Sequence, residues 1–225
     1  FRDVWFKTSF LLDSEQTNMD ECKSRFLNYK NQKLKYKFPN FFTGKIKKGS
    51  YKKNIIAAVI REKGINSERE MAYMLHLSGF EVKDVHMTDL VSGKENLENV
   101  NMVVFPGGFS NSDVLGSAKG WAGAFKYNEK AKKAINQFYS RSNTLSLGVC
   151  NGCQLMMELN LIDKKLNGNH PKMEHNNSKK FECTFSGIDI LESNAVMLEN
   201  LSGSTLGIWS AHGEGKFNLK GADVN

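Results

Sequence analysis

The residues whose types and spacing could do chemistry lie between Ser146 and Met156, in the stretch SLGVCNGCQLM. It holds two of the chain's four cysteines, Cys150 and Cys153, between an apolar run and a helix-like one. A Cys-x-x-Cys can be half of a zinc site, but the other half would need a second close pair of ligands. Cys183, or His170 with His175, is a poor supply. It can be a redox pair at a helix start, where the helix N-terminus lowers a thiol pKa; Cys153 would then lie one turn into that helix. Or Gly148-x-Cys150-x-Gly152 is the cysteine counterpart of the strained strand-to-helix turn G-x-S-x-G. This third reading uses every residue. Small neighbours are required because the turn is tight, and the bend pushes Sγ beyond the sheet edge. The helix N-terminus favours thiolate there. The N–H of Asn151 would face an oxyanion formed at the sulfur, and Gly107-Gly108 could supply a second N–H with no side chain in the way.

Such a bend needs a strand before it and a helix after it, and the surrounding sequence supplies both. Thr144–Val149 reads as the strand and Asn151–Asn160 as the helix. Further upstream, the continuous apolar run Asn54–Ile60 suits a strand covered on both faces of a parallel sheet. Ser67-Glu68-Arg69-Glu70 has the form of a capping box, with Met71, Met74, Leu75 and Ser78 following at helical spacing and Gly79 as a stop. Glu81–Met87 alternates like a second strand, with His86 on it. Asn101–Phe105 is a third, ending in Pro106-Gly107-Gly108, and Glu129–Arg141 is helical. The order predicts an α/β fold: an open, mostly parallel sheet with helices on both faces, flavodoxin-like. In such sheets ligands bind beyond the carboxyl ends of the strands, where Gly107, Gly108 and Cys150 all fall. Phe181–Phe185, Ala195–Leu198 and Leu206–Ser210 read as short strands. Residues 1–50 show no sustained period, and a boundary is placed at residue 50.

Composition excludes several classes. No apolar run approaches the roughly 20 residues that span a bilayer, and FRDVWFKTSF has no signal-peptide layout. A cytoplasmic location, with the cysteines as thiols, is therefore expected. The chain lacks an initiator Met and reads as a piece of something longer. Its formal charge of +7 is uneven: Cys22–Lys53 holds ten lysines, one arginine and no acid. Aromatics interleave with these lysines, as in nucleic-acid footprints, but no DNA- or RNA-binding motif accompanies them. A solvated linker is the reading adopted, with no nucleic-acid partner.

Taken together, Gly148-Val149-Cys150-Asn151-Gly152-Cys153-Gln154, Pro106-Gly107-Gly108-Phe109-Ser110 and Ser210-Ala211-His212-Gly213-Glu214-Gly215 resemble the class I (triad-type) glutamine amidotransferases. Arg61–Ser67, Asp84–Leu90 and Asp113–Gly116 narrow the resemblance to the glutaminase domains of the purine-biosynthetic phosphoribosylformylglycinamidine synthases. Phe1-Arg2-Asp3-Val4-Trp5 resembles the region that joins synthetase to glutaminase in their large single-chain form.

The resemblance implies that glutamine is hydrolysed by a Cys-His-Glu triad and that the ammonia passes to an ATP-dependent synthetase domain of the same parent chain. Residues 1–50 would be a linker or part of the preceding synthetase region, and 51–225 the glutamine amidotransferase domain. Cys150 matches the nucleophile, and Gly108 and Asn151 the backbone oxyanion donors. Gly107, Phe109, Gln154, His212, Gly213 and Glu214 match the substrate pocket, and Cys153 becomes a packing residue. No metal ligand is implied in this chain; ATP and Mg2+ would belong to the synthetase part. The chain departs from the pattern at Asn111-Ser112, where Tyr-Gly is usual. The family's catalytic His and Glu fall in an H-x-E motif beyond the last residue here, so the domain is expected to be incomplete at its C-terminus. His212-x-Glu214 has the same spacing, and read from the residues alone it is a base with its orienter. A thiol oxidoreductase and a non-catalytic docking module are the alternative readings.

Overall fold

The computed structural model describes residues 1–28, 34–45, 55–162 and 171–218. In chain order the elements are helices α1 (Arg2–Gln16) and α2 (Met19–Asn28), strand β1 (Ile56–Arg61), α3 (Glu68–Leu77), β2 (Glu81–His86), α4 (Met87–Ser92) and β3 (Met102–Phe105). After a 3-10 turn at Ser110–Asp113 come α5 (Lys119–Tyr127), α6 (Glu129–Ser140), β4 (Leu145–Gly148), α7 (Asn151–Glu158), β5 (Lys172–Glu174) and β6 (Glu182–Asp189). A second 3-10 turn, Val196–Leu198, precedes β7 (Thr205–His212) and β8 (Lys216–Asn218). These form two compact units, Phe1–Ile46 with His175–Lys216, and Lys47–Glu174 with Phe217–Asn225. The boundary expected at residue 50 lies outside the described residues.

The second unit is built on a four-stranded sheet in the order β2-β1-β3-β4, with every pairing parallel. Successive side chains of a strand point to opposite faces, and this divides the core in two. Ala58 and Ile60 of β1 and Val103 and Phe105 of β3 pack with Trp121, Phe125, Ala134 and Phe138 of α5 and α6. Ala57, Val59, Met102 and Val104 face the other way, against Leu75 and Met71 of α3. Both faces of β1 and β3 are thus covered, which is why Ile56–Ile60 and Met102–Phe105 are apolar without a break.

Several local expectations are corrected. The Ser67–Glu70 capping box does not form. Ser67 adopts a left-handed conformation (φ 67°, ψ 12°) rather than the extended one of a capping residue, and its side chain makes no capping hydrogen bond. A capping box does form at the end of β2, where His86 accepts from Thr88 N and Asp89 closes on the His86 backbone. It starts α4, the short helix missing from the sequence reading between the second and third strands. Val196–Leu198, read as part of a strand, is a 3-10 turn.

The first unit contains the antiparallel hairpin β6–β7, paired from Glu182↔His212 to Asp189↔Thr205. Within residues 1–28, where no period was found, lie the two helices α1 and α2. Helix α1 buries no residue of its own and carries its apolar side chains in adjacent runs, so no one-faced stripe marks it. It is tied by a ring contact, Phe10 on Phe26 at 4.8 Å between centroids, and by polar contacts: Asp13 is paired with both Arg25 and Lys180, and Arg25 reaches Glu182 at 3.4 Å. Further along, Tyr36, Phe38 and Phe42 stack on one another. No described helix is long and apolar enough to cross a membrane.

Candidate active site

Cys150 sits between β4 and α7 with φ 48° and ψ −108°, a combination outside the ordinary regions for a side-chain-bearing residue. The sequence forces this bend by crowding. A Cβ on Gly152 would lie 1.9 Å from the Phe105 carbonyl oxygen, and one on Gly148 would lie 2.7 Å from both the Gly152 oxygen and the Met156 sulfur. Only glycine lets α7 descend this close onto the end of β3. The carbonyl of Cys150 then accepts from Gln154 N at 3.0 Å, which starts the helix.

The facing wall is the loop after β3. Gly108 has φ 129° and forms an isolated antiparallel bridge with Ile65. Asn66 N donates to Gly107 O at 2.9 Å, Phe109 N to Gly64 O at 2.9 Å, and Asn111 N to Lys63 O at 2.8 Å. The segment Arg61–Ser67 is therefore a brace under the double glycine. Gly64 is required there, since a Cβ would lie 2.2 Å from the Phe109 carbonyl oxygen. Sequence reasoning took this segment only as a family mark; Gly64 was the signal that two backbones approach.

The two walls converge on the sulfur. Cys150 is half-buried, and the backbone N–H groups of Asn151 and Gly108 lie close enough to its thiol to favour the ionised form. Burial pushes the thiol pKa up; those two N–H groups pull it down; the Asp113 carboxylate pushes it up again, and the net shift is upward. The helix-terminus effect expected to favour thiolate is present but loses to desolvation. Cys153, one helical turn on, is also raised by burial. All four cysteines are free thiols.

The site residues expected from sequence fall into two sets. Gly107, Gly108, Phe109, Cys150, Asn151 and Gln154 all belong to the second unit. Asn151 and Gln154 are buried, at 1% and 4% exposure, and are bonded to each other; Phe109 is half exposed. His212, Gly213 and Glu214 belong to the first unit, at the end of β7. There the base-and-orienter pairing of His212 with Glu214 is not made. His212 Nε2 lies 2.9 Å from Ser210 Oγ, and Nδ1 lies 2.9 Å from Asn176 Oδ1. Glu214 is instead 3.4 Å from His175 Nδ1. Asn176 was missed by sequence reasoning. Its side chain also accepts from Gly215 N and donates to the carbonyls of Lys180 and His212, locking the turn after β7. His170 lies outside the described residues, and His175 is exposed beyond the end of β5.

A half-buried cysteine at a strained strand-to-helix bend, met by two amide donors, is the furniture of acyl-transfer chemistry on a thiol. The family profile of the CobB/CobQ-like glutamine amidotransferase domain matches residues 54–225. The chain belongs to this family. Among named relatives, it is 40% identical over 225 residues to the probable phosphoribosylformylglycinamidine synthase, chloroplastic/mitochondrial, of Arabidopsis thaliana, covering 96% of this chain and 16% of that protein. It is 42% identical to the phosphoribosylformylglycinamidine synthase of Dictyostelium discoideum (95% and 16%) and 36% identical to that of Homo sapiens (95% and 17%). The chain therefore spans about one sixth of the length of these relatives. A solved structure of PurLQS from Thermotoga maritima shares the fold, with a TM-score of 0.55 at 24% identity over 73% of this chain and 69% of that one.

Proposed function

We propose that this chain is the glutamine-hydrolysing part of a phosphoribosylformylglycinamidine synthase, supplying ammonia to an ATP- and Mg2+-dependent synthetase part of the same protein in purine biosynthesis. The supporting observation is the meeting of the Asn151 and Gly108 N–H groups at the Cys150 thiol. In this reading Cys150 Sγ, on losing its proton, attacks the side-chain amide carbon of glutamine. The oxyanion is held by those two N–H groups; as it collapses, the proton taken from the thiol passes to the departing nitrogen, so ammonia leaves and a glutamyl thioester remains. Water then attacks the thioester, releasing glutamate and returning the thiol. Gly107, Phe109 and Gln154 hold the substrate on the Cys150 side.

The upward shift of the resting thiol means that a base must take its proton once glutamine is bound. Both ring nitrogens of His212 are engaged by Ser210 and Asn176, so His212 is not assigned that role. The base and its carboxylate partner are assigned to an H-x-E beyond Gly215, as the family resemblance implies. On this assignment residues 1–225 alone release ammonia roughly 10⁴–10⁶-fold more slowly than the full-length protein. A cytosolic setting and a docked synthetase partner belong to the same reading. A thiol-disulfide function is disfavoured, because both Cys150 and Cys153 are raised rather than lowered.

The test is Cys150→Ser in the full-length protein. Glutamine-dependent product formation should fall by at least about 10³-fold, while formation from ammonium salts continues. Retained glutamine use, or equal loss with both nitrogen sources, would refute the proposal.

A further inference from the structure

The two amide donors at Cys150 come from chain segments far apart in sequence, and a pair of donors is useful only if their separation is fixed. One is the N–H of Asn151, the first residue of α7; the other is the N–H of Gly108, on the loop after β3. That loop is braced on its far side by Arg61–Ser67. On its near side one side chain reaches across to it. Asn151 Oδ1 accepts from Ser110 N at 3.1 Å, and Asn151 Nδ2 donates to Gln154 Oε1 at 2.8 Å. Ser110 is 1% exposed, so all three residues of this bridge are removed from solvent.

We propose that the Asn151 side chain is a positioning residue: it ties the Gly108 loop to the start of α7, so that two N–H groups from separate segments form one rigid cradle at the Cys150 sulfur. This rests on the glutaminase reading only for its consequence in turnover; the cradle itself is a matter of geometry. The residue type follows from the distances. The bridge needs an acceptor toward Ser110 and a donor toward Gln154 on one short planar group. Aspartate lacks the donor and would set a second charge near the sulfur, leucine lacks both groups, and serine is too short to reach both. A buried amide with both ends bonded also resists slipping, because moving the loop strands a donor and an acceptor away from water.

The charged group that acts on the sulfur, among the described residues, is Asp113, which disfavours thiolate; the two amide donors favour it. Loosening the cradle therefore weakens the thiolate's support and leaves Asp113 unopposed. The experiment uses the full-length protein, wild type against Asn151→Leu and Asn151→Ala. Iodoacetamide modification of Cys150 is followed across pH by site-resolved mass spectrometry, with glutamine kinetics and thermal melting alongside. The tether predicts that the pH midpoint for Cys150 modification moves up in the variants. It also predicts that kcat for glutamine falls roughly 10²-fold, with KM within about threefold. A lower melting temperature with an unchanged midpoint and kcat would mean a structural role only and would overturn the proposal. A shifted midpoint in a protein whose wild type does not hydrolyse glutamine would sustain the tether and remove the glutaminase reading. Should the leucine variant fail to fold, the alanine variant, which crowds nothing, decides.

Discussion

Gly152 lies so close to the carbonyl of Phe105 that even a methyl group on it would sit 1.9 Å from the oxygen. The obstacle is backbone, which has no rotamer to change. Gly152→Ala must therefore push α7 off the end of β3. The expected cost is about 3 kcal/mol, toward the upper end of overpacking penalties, read as a drop in melting temperature. Iodoacetamide labelling of Cys150 should become faster as the bend opens. A variant with wild-type stability would show that the close approach is not a constraint.

The backbone of Cys150 is held at φ 48°, ψ −108°, which glycine tolerates and side-chain-bearing residues do not. Cys150→Gly should abolish thiol chemistry and yet raise stability by about 1 kcal/mol, the low end of the strain stored in such residues. Cys150→Ala keeps the strain and should not show that gain. Chemical denaturation of the two variants side by side makes the comparison.

Asp113 opposes ionisation of Cys150, and its Oδ1 accepts from Ala118 N at 3.1 Å. Asp113→Asn keeps that acceptor and removes the charge. The Cys150 thiol should then ionise at lower pH, and its modification at pH 7 should be faster than in wild type. Slower modification would contradict the assigned direction.

Asp13 is paired with Lys180 and Arg25, and its carboxyl is held below the usual carboxylate range, first by the Lys180 hydrogen bond and then by Arg25. A depressed carboxyl contributes stability above its unfolded pKa and loses it as pH falls through the folded value. The Asp13–Arg25–Lys180 ties should therefore hold at neutral pH and weaken below about pH 4. Asp13→Asn should be destabilised by roughly 1 kcal/mol at pH 7, since all three side chains are only partly exposed. The difference from wild type should vanish at the acid end. Parallel melting curves from pH 7 to pH 2 read the effect.

Strands β1, β3 and β4 could be read from the sequence because each is an unbroken or alternating apolar run bounded by glycine, proline or polar residues, whereas β2 carries only Val82 and Val85, which pack on opposite faces. The elbow was equally legible, since Gly148 and Gly152 around Cys150 have a steric meaning that needs no coordinates. Helix α4 was hidden because His86, a strand residue, doubles as its cap. Helix α1 was hidden because its apolar residues are not confined to one face.

Short-range sterics and periodicity thus sufficed to assign the sheet, the bend and the sulfur at its tip, because these depend on neighbours a few residues away. Only the folded chain decided how that sulfur ionises, and that His212 bonds to Asn176 rather than to Glu214. Those outcomes depend on burial and on contacts between segments distant in sequence, such as Ser110 with Asn151. No local pattern encodes a desolvation energy or the partner of a side chain that must reach across the fold to find it.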